Sequence, residues 1–276
     1  MIYCKSSIGY FETLGNRSLK MGKIVSIVNQ KGGVGKTTTA VNLVASIGSL
    51  GFKTLIVDID PQGNATSGLG LNKREITLSS YDVILGNAKA TDVIVSTPYK
   101  NVSILPANMN LAGAELEMVD IEKRESRLKT ALSPIKNDFD FIFLDCPPAL
   151  GLITLNALCA TDTVLVPIQC EYYALEGLSQ LMSTFRQVKR LYNPLIELEG
   201  VLLTMFDARL NLTQQVVSEV KRFFPNKVYA SVIPRNVRLS EAPSYGKPAF
   251  YYDKSSRGAD SYMELALEFL RMNGKK

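Results

Sequence analysis

The 276-residue sequence contains no histidine. That absence removes every Ser-His and Cys-His nucleophile arrangement, so any catalysis rests on lysine, carboxylate, hydroxyl and a bound metal. Cysteine is scarce as well: Cys4, Cys146, Cys159 and Cys170 show no CxxC spacing. With no histidine beside them, they argue against a zinc site or a disulfide framework and suit a reducing cytosol. No apolar run approaches the roughly 20 residues that cross a bilayer, and Met1–Lys20 lacks the apolar core of about 7–15 residues that a signal peptide needs. The expectation is a cytoplasmic protein with no membrane-embedded part. Internal repeats and low-complexity stretches are also missing. What remains is a chain that is 46% hydrophobic, enough for one large α/β core without a second domain.

The most informative stretch is Gln30-Lys31-Gly32-Gly33-Val34-Gly35-Lys36-Thr37-Thr38, between the apolar run Ile24–Val28 and a helical pattern over Ala40–Leu50. A strand, a glycine-rich turn and a helix follow one another. Glycines let consecutive backbone N–H groups point inward, and the free amides and positive dipole end of the helix complete an anion cradle fit for a polyphosphate. In such a loop Lys36 reaches the β- and γ-phosphates and the Thr37 hydroxyl ligates Mg²⁺. The general phosphate-loop pattern asks for glycine five residues before Gly35, where this chain has Gln30, with an added lysine, Lys31, beside it. Average residue frequencies give a chance match to K-G-G-x-G-K-[ST] a probability on the order of 10⁻⁴ in a chain of this length.

This loop resembles the deviant Walker A motif of the ParA/MinD ATPases. The resemblance implies ATP and Mg²⁺ as cofactors, Lys31 through Thr38 around the nucleotide, and an ATP-sandwiched homodimer in which Lys31 acts on the partner subunit's nucleotide. Further segments extend it: Cys170–Leu178, Thr204–Arg209 and Ile233–Pro248 resemble the chromosomal ParA (Soj) subgroup, so that the likeness runs over Met21–Leu270. By the same resemblance Pro234 and Asn236 lie at the nucleotide.

Two carboxylates follow the apolar run Leu55-Ile56-Val57, in Asp58-Ile59-Asp60-Pro61-Gln62-Gly63-Asn64. Ligands sit outside the carboxyl ends of strands in open α/β sheets, which lets Asp60 orient or deprotonate an attacking water. The competing role is a turn cap through an Asx hydrogen bond. The stretch D-x-D-P-Q-G-N-A-T resembles the family's first switch segment, which favours Asp60 as the hydrolytic carboxylate and keeps Asp58 as the alternative. A second strand, Phe139–Asp145, also ends in an acid before Cys146-Pro147-Pro148, prolines that forbid a continued ladder. Asp145 thus has the Walker B position, a Mg²⁺ carboxylate, with a turn or N-cap role as the alternative.

Further strands are expected at Val102–Leu105, Thr163–Ile168, Leu198–Thr204 and Val228–Ile233. Helices are expected at Leu78–Leu85, Asn108–Met118, Glu122–Ile135, Leu175–Tyr192, Leu212–Phe223 and Ser256–Met272. Such alternation specifies an α/β fold with a doubly wound, mostly parallel sheet and helices on both faces. Residues 1–20 read as a flexible extension or a misassigned start, and residues 21–276 as a single domain. Glu115, Glu117, Asp120, Glu122 and Glu125 read as solvated faces.

Charge is uneven: Val201–Lys276 holds 12 lysines and arginines against 7 acids, within a chain of net charge +5. Such an excess by itself is a solubility feature. The resemblance adds that ATP-bound dimers lay arginines on DNA phosphates without reading sequence, with Arg209 and Arg238 at the matching positions and Lys221, Arg222 and Lys247 nearby. Arg209 follows an expected strand and Arg238 stands in an expected turn after Pro234, so both are expected to face outward, away from the phosphate loop. It further implies a ParB-type centromere-binding partner that stimulates hydrolysis, and a location on the nucleoid. Two rival readings are a MinD-like positioning ATPase, which needs a basic amphipathic C-terminal helix, and a NifH-like electron-transfer ATPase, which needs cluster-ligating cysteines. The acids in Tyr262–Leu270 oppose the first, and the cysteine positions oppose the second.

Overall fold

The computed structural model describes residues 22–171 and 174–275. The expectation for residues 1–20 falls outside them. Eight strands form one sheet: β1 (Lys23–Ile27), β2 (Thr54–Asp58), β3 (Val95–Ser96), β4 (Val102–Leu105), β5 (Phe141–Asp145), β6 (Thr163–Gln169), β7 (Glu197–Phe206) and β8 (Val228–Pro234). Their order is β3-β4-β2-β5-β1-β6-β7-β8, and every neighbouring pair is parallel except β3 with β4. The first half of the chain winds out from β1 towards β4 and the second half from β6 towards β8. Their carboxyl ends therefore share one edge, with the β1 loop at its middle.

The helices are α1 (Lys36–Ser49), α2 (Asn64–Gly68), α3 (Ser80–Leu85), α4 (Ala90–Val93), α5 (Ala114–Glu117) and α6 (Arg127–Leu132), then α7 (Leu152–Ala160), α8 (Ala174–Leu191) and α9 (Asn211–Phe223). Three more close the chain: α10 (Val237–Glu241), α11 (Ala249–Tyr252) and α12 (Arg257–Met272). The strands are apolar on both faces, as a parallel sheet covered twice requires. Along β5, Phe141 and Phe143 turn to one core with α1 and α12, and Ile142 and Leu144 turn to the other. The first core holds apolar residues of α1, α2 and α10–α12, and the second those of α3–α9. Phe269 of α12 meets both phenylalanines edge-on or tilted, with ring centroids at 5.0 and 5.5 Å. At the far edge of the sheet Lys23 Nζ donates to Glu199 and Asn273, so the start of β1 is tied to the residue that follows α12.

Two expected helices are broken up. The span 108–118 is a 3₁₀ turn (Met109–Gly113) followed by the one-turn α5. The span 122–135 begins with Lys123 in the left-handed region (φ 54°) and consists of 3₁₀ turns on either side of α6. Gly113 and Pro134 explain much of this, since glycine is the poorest helix former after proline and proline removes a helix N–H. The helix α7, absent from the sequence reading, is buried along most of its length.

Candidate active site

The loop after β1 turns through Gly33 (φ 75°) and Gly35 (φ 87°), the latter serving as N-cap of α1 in a conformation that disfavours any side chain. A Cβ at Gly32 or Gly33 would meet no protein atom within 4 Å, so the space over the loop is open. Lys36, the first residue of α1, is 7% exposed, and its Nζ donates to the Lys31 carbonyl at 2.9 Å. Burial lowers its pKa, an effect that Asp145, Cys146 and Asp60 partly offset by favouring the ammonium. Lys36 is thus folded back onto its own loop.

Asp145 and Asp58 sit side by side at the ends of β5 and β2. Both are fully buried, and burial is the main cause that raises their pKa values, with neighbouring aspartates adding to it. Their surroundings differ. Asp58 accepts from the Asp60 and Thr66 N–H groups and from the Thr66 hydroxyl. The Thr37 hydroxyl lies near enough to Asp145 to favour its charged form, yet neither buried oxygen of Asp145 completes a hydrogen bond. Asp60 follows the end of β2 and accepts from Gln62 N–H at 2.9 Å, so the Asx turn is present while the residue also lines the cleft.

That cleft, about 350 Å³, is walled by Gly32, Gly33, Gly35, Lys36, Thr37, Thr38, Asp60, Gln62, Asn64, Pro148 and Met205. A second pocket of about 340 Å³ shares Gly35, Thr38 and Met205 with it and continues between Thr204, Ile233, Pro234, Asn236, Leu239 and Tyr262. The join is made by Met205, held at φ 49°, a conformation that costs a non-glycine residue about 1–3 kcal/mol. The cleft over the glycine loop thus runs on into a second pocket of similar size, a continuous depression long enough for a polyphosphate with a group attached to it. Sequence reasoning brought Pro234 and Asn236 to this pocket and missed Thr204, Met205 and Tyr262, which come from distant elements. Thr204, whose hydroxyl donates to the Val34 carbonyl at 2.9 Å, stood inside a quoted segment without a role.

A family model described as an AAA domain matches residues 22–198. The sporulation initiation inhibitor protein Soj of Bacillus subtilis is 57% identical over 248 residues, covering 90% of this chain and 98% of that protein. The chain belongs to the ParA/Soj family. The chromosome partitioning protein ParA of Myxococcus xanthus is 51% identical, covering 93% of this chain and 90% of its own length. A solved structure of a cobyrinic acid a,c-diamide synthase from Mycobacterium smegmatis, with bound ATP analogue and magnesium, superposes with a TM-score of 0.82 at 37% identity. It covers 91% of this chain and 94% of that one.

Within this ParA/Soj-family chain the added lysine is not free. Lys31 pairs with Glu171 of its own subunit, both side chains being about one-third exposed (37% and 33%). Exposed pairs of this kind are worth about 0–1 kcal/mol, so the pair is a light restraint. The two arginines are placed differently from the expectation that they lie away from the phosphate loop. Arg209 follows β7 and Arg238 lies in α10 after β8, at the same carboxyl edge as the loop and displaced along it. Arg238 is also helical rather than in a turn, because Asn236 Oδ1 accepts from its N–H at 2.9 Å and starts α10. Both arginines carry counter-charges. Arg209 grips Asp207 through Nε and Nη2, which holds that carboxyl down at about 2, and Arg238 meets Glu241 at 2.8 Å and Asp253 at 3.1 Å.

Proposed function

We propose that this protein is a DNA-segregation ATPase that binds ATP with Mg²⁺, pairs with a second copy across the nucleotide, and binds DNA without regard to sequence in that state. The observation that carries the reading is the pairing of a glycine cradle, with a buried lysine turned back on its own loop, with a buried Asp145 whose oxygens lack partners. A triphosphate and a divalent cation satisfy both at once. Thr37 and Asp145 are the ligands the chain offers the cation. One carboxylate and one hydroxyl suit Mg²⁺, because that ion keeps several waters and takes one or two carboxylates plus substrate phosphates. When bound, Mg²⁺ neutralises charge on the phosphates and orients them.

In this reading Lys36 binds the β- and γ-phosphates, Lys31 leaves Glu171 to reach the nucleotide of the second copy, and Asp60 orients the attacking water. Pro234 and Asn236 bound the pocket for the base. The name of the Myxococcus xanthus relative, chromosome partitioning protein ParA, supports chromosome partitioning as the process. A ParB-type centromere-binding protein that stimulates hydrolysis and a nucleoid location belong to the same reading. The MinD-like alternative needs a C-terminal helix free to lie on a membrane. Here α12 buries Tyr262, Leu265, Ala266, Phe269 and Leu270 in the core, and no described helix is long and apolar enough to cross a membrane. The deciding experiment is retardation of unrelated DNA fragments with ATP, with ADP and with neither. Retardation only with ATP is expected, and equal binding in all three conditions contradicts the proposal.

A further inference from the structure

We infer that Thr66, acting through Asp58, is a positioning residue for Asp60, an inference that rests on the hydrolytic role of Asp60 given above. Asp58 is fully buried and does not line the phosphate cleft. Its carboxylate instead gathers the turn that carries Asp60. Oδ1 accepts from Asp60 N–H at 3.2 Å, and Oδ2 accepts from both Thr66 N–H and Thr66 Oγ1 at 2.8 Å. One carboxylate thus ties the two ends of the 60–66 segment together.

The Thr66 hydroxyl fastens that closed loop to the sheet. A hydroxyl has one proton to give and lone pairs with which to accept. The proton of Thr66 goes to Asp58, and Ala107 N–H donates to the same oxygen at 2.9 Å. Ala107 lies just past β4, the strand that pairs with β2, and both Thr66 and Ala107 are fully buried. The Ala107 carbonyl also stands 3.2 Å from where a Cβ on Gly63 would be, so β4 backs the same turn from a second side. Within the turn Asp60 makes two hydrogen bonds: its carbonyl accepts from Gly63 N–H and its Oδ1 from Gln62 N–H. Through Asp58 and Thr66 the turn is therefore held to the end of β2 and to the residues after β4, in addition to the Ile59 N–H bond to the Asp145 carbonyl at the end of β5. A water-orienting carboxylate misplaced by about 1 Å loses rate by up to about a hundredfold while substrate contacts elsewhere persist.

Thr66→Val keeps the volume, the β-branch and the backbone N–H and removes only the hydroxyl. Steady-state ATP hydrolysis should show kcat reduced about ten- to a hundredfold, with KM for ATP and ATP-dependent dimerisation changed less than about twofold. Thr66→Ser, which restores the hydroxyl, should recover kcat to within about threefold. In the nucleotide-free protein, amide exchange at Asp60 and Thr66 should be faster in Thr66→Val than in wild type and Thr66→Ser. If Thr66→Val fails to fold by circular dichroism, Asp58→Asn takes its place with the same expected split. Wild-type kcat in a folded variant, a parallel loss of affinity and kcat, or failure of serine to rescue overturns the inference. Asp60→Ala is measured alongside. Full turnover there overturns the role of Asp60 itself, whereas loss there with wild-type rates in Thr66→Val overturns only the positioning role.

Discussion

The two unpartnered oxygens of Asp145 make a prediction about stability as well as catalysis. Burial raises its pKa above the ordinary 3.8, with Asp58 adding to the shift. The folded chain therefore holds this proton more tightly than the unfolded chain, so the stabilisation is full below about pH 4 and is lost as pH rises to the folded value. Asp145→Asn should remove that loss. Ligand-free unfolding at neutral pH should shift upward by the equivalent of about 1–3 kcal/mol, and the stability profile above pH 4 should flatten. Thermal scans across pH, with and without Mg²⁺ and ATP, test this, and they should also show ATP's Mg²⁺-dependent stabilisation gone from the variant. An unchanged pH profile argues that Asp145 is neutralised by a neighbour. Lys36 gives a second prediction at this scale. Lys36→Ala removes a charge-assisted contact worth about 1.5–3 kcal/mol, and calorimetric titration should find no ATP binding at micromolar nucleotide. Near-normal affinity would move the triphosphate elsewhere.

At the scale of elements, α10 runs from the second pocket to the surface, where Arg238 is exposed. Asn236 caps it with its carbonyl oxygen, which leaves its amide group uncommitted to the cap, and the residue lines the pocket proposed for the base. Asn236→Asp keeps the cap and loses the amide donor, so thermal stability should stay near wild type while ATP affinity falls. Asn236→Ala loses both, with about 1 kcal/mol of stability gone. Equal ATP affinity in wild type and Asn236→Asp excludes the amide from base recognition. The sequence made much of this architecture legible. The strand runs at Val102–Leu105, Thr163–Ile168 and Val228–Ile233 match β4, β6 and β8 within a residue or two, because a short apolar run between turn residues has few other solutions. The helices α8, α9 and α12 carry strong apolar stripes and were equally plain. By contrast α7, Leu-Ile-Thr-Leu-Asn-Ala-Leu-Cys-Ala, is apolar nearly all round, so it has no stripe to detect. The site divided in the same way. Lys36, Asp60 and Asp145 stand in contiguous motifs, whereas the contacts of Glu171 with Lys31, Tyr262 with the base pocket and Ala107 with Thr66 join residues far apart in sequence, and spacing carries no trace of them.

For the whole molecule, the shared carboxyl edge of the sheet brings the phosphate loop, Arg209 and Arg238 to one side. If Lys31 serves the second copy, Lys31→Ala should bind ATP as a monomer and fail to dimerise in sedimentation, and an ATP-dependent dimer of that variant contradicts the trans role. If two copies pair as proposed, the arginines offered to DNA double in number. Since each neutralised phosphate releases counterions, retardation should weaken steeply with salt. Arg238→Glu, and less strongly Arg209→Glu, should abolish retardation with dimerisation intact. Arg238 lies beside the base pocket, so loss of dimerisation in its variant would mean that it serves the nucleotide rather than DNA. One remaining consequence concerns synthesis. The helix that follows the phosphate loop, α1, is covered by α12, and Lys23 is held by Asn273. Ribosomes add about 5–20 residues per second, so the chain between these partners takes about 10–50 s to appear. During that interval the apolar outer face of α1 stays open to water and the phosphate loop rests on an unfinished wall. The core on that side of the sheet closes only when α12 packs onto α1, however early the phosphate loop itself is made.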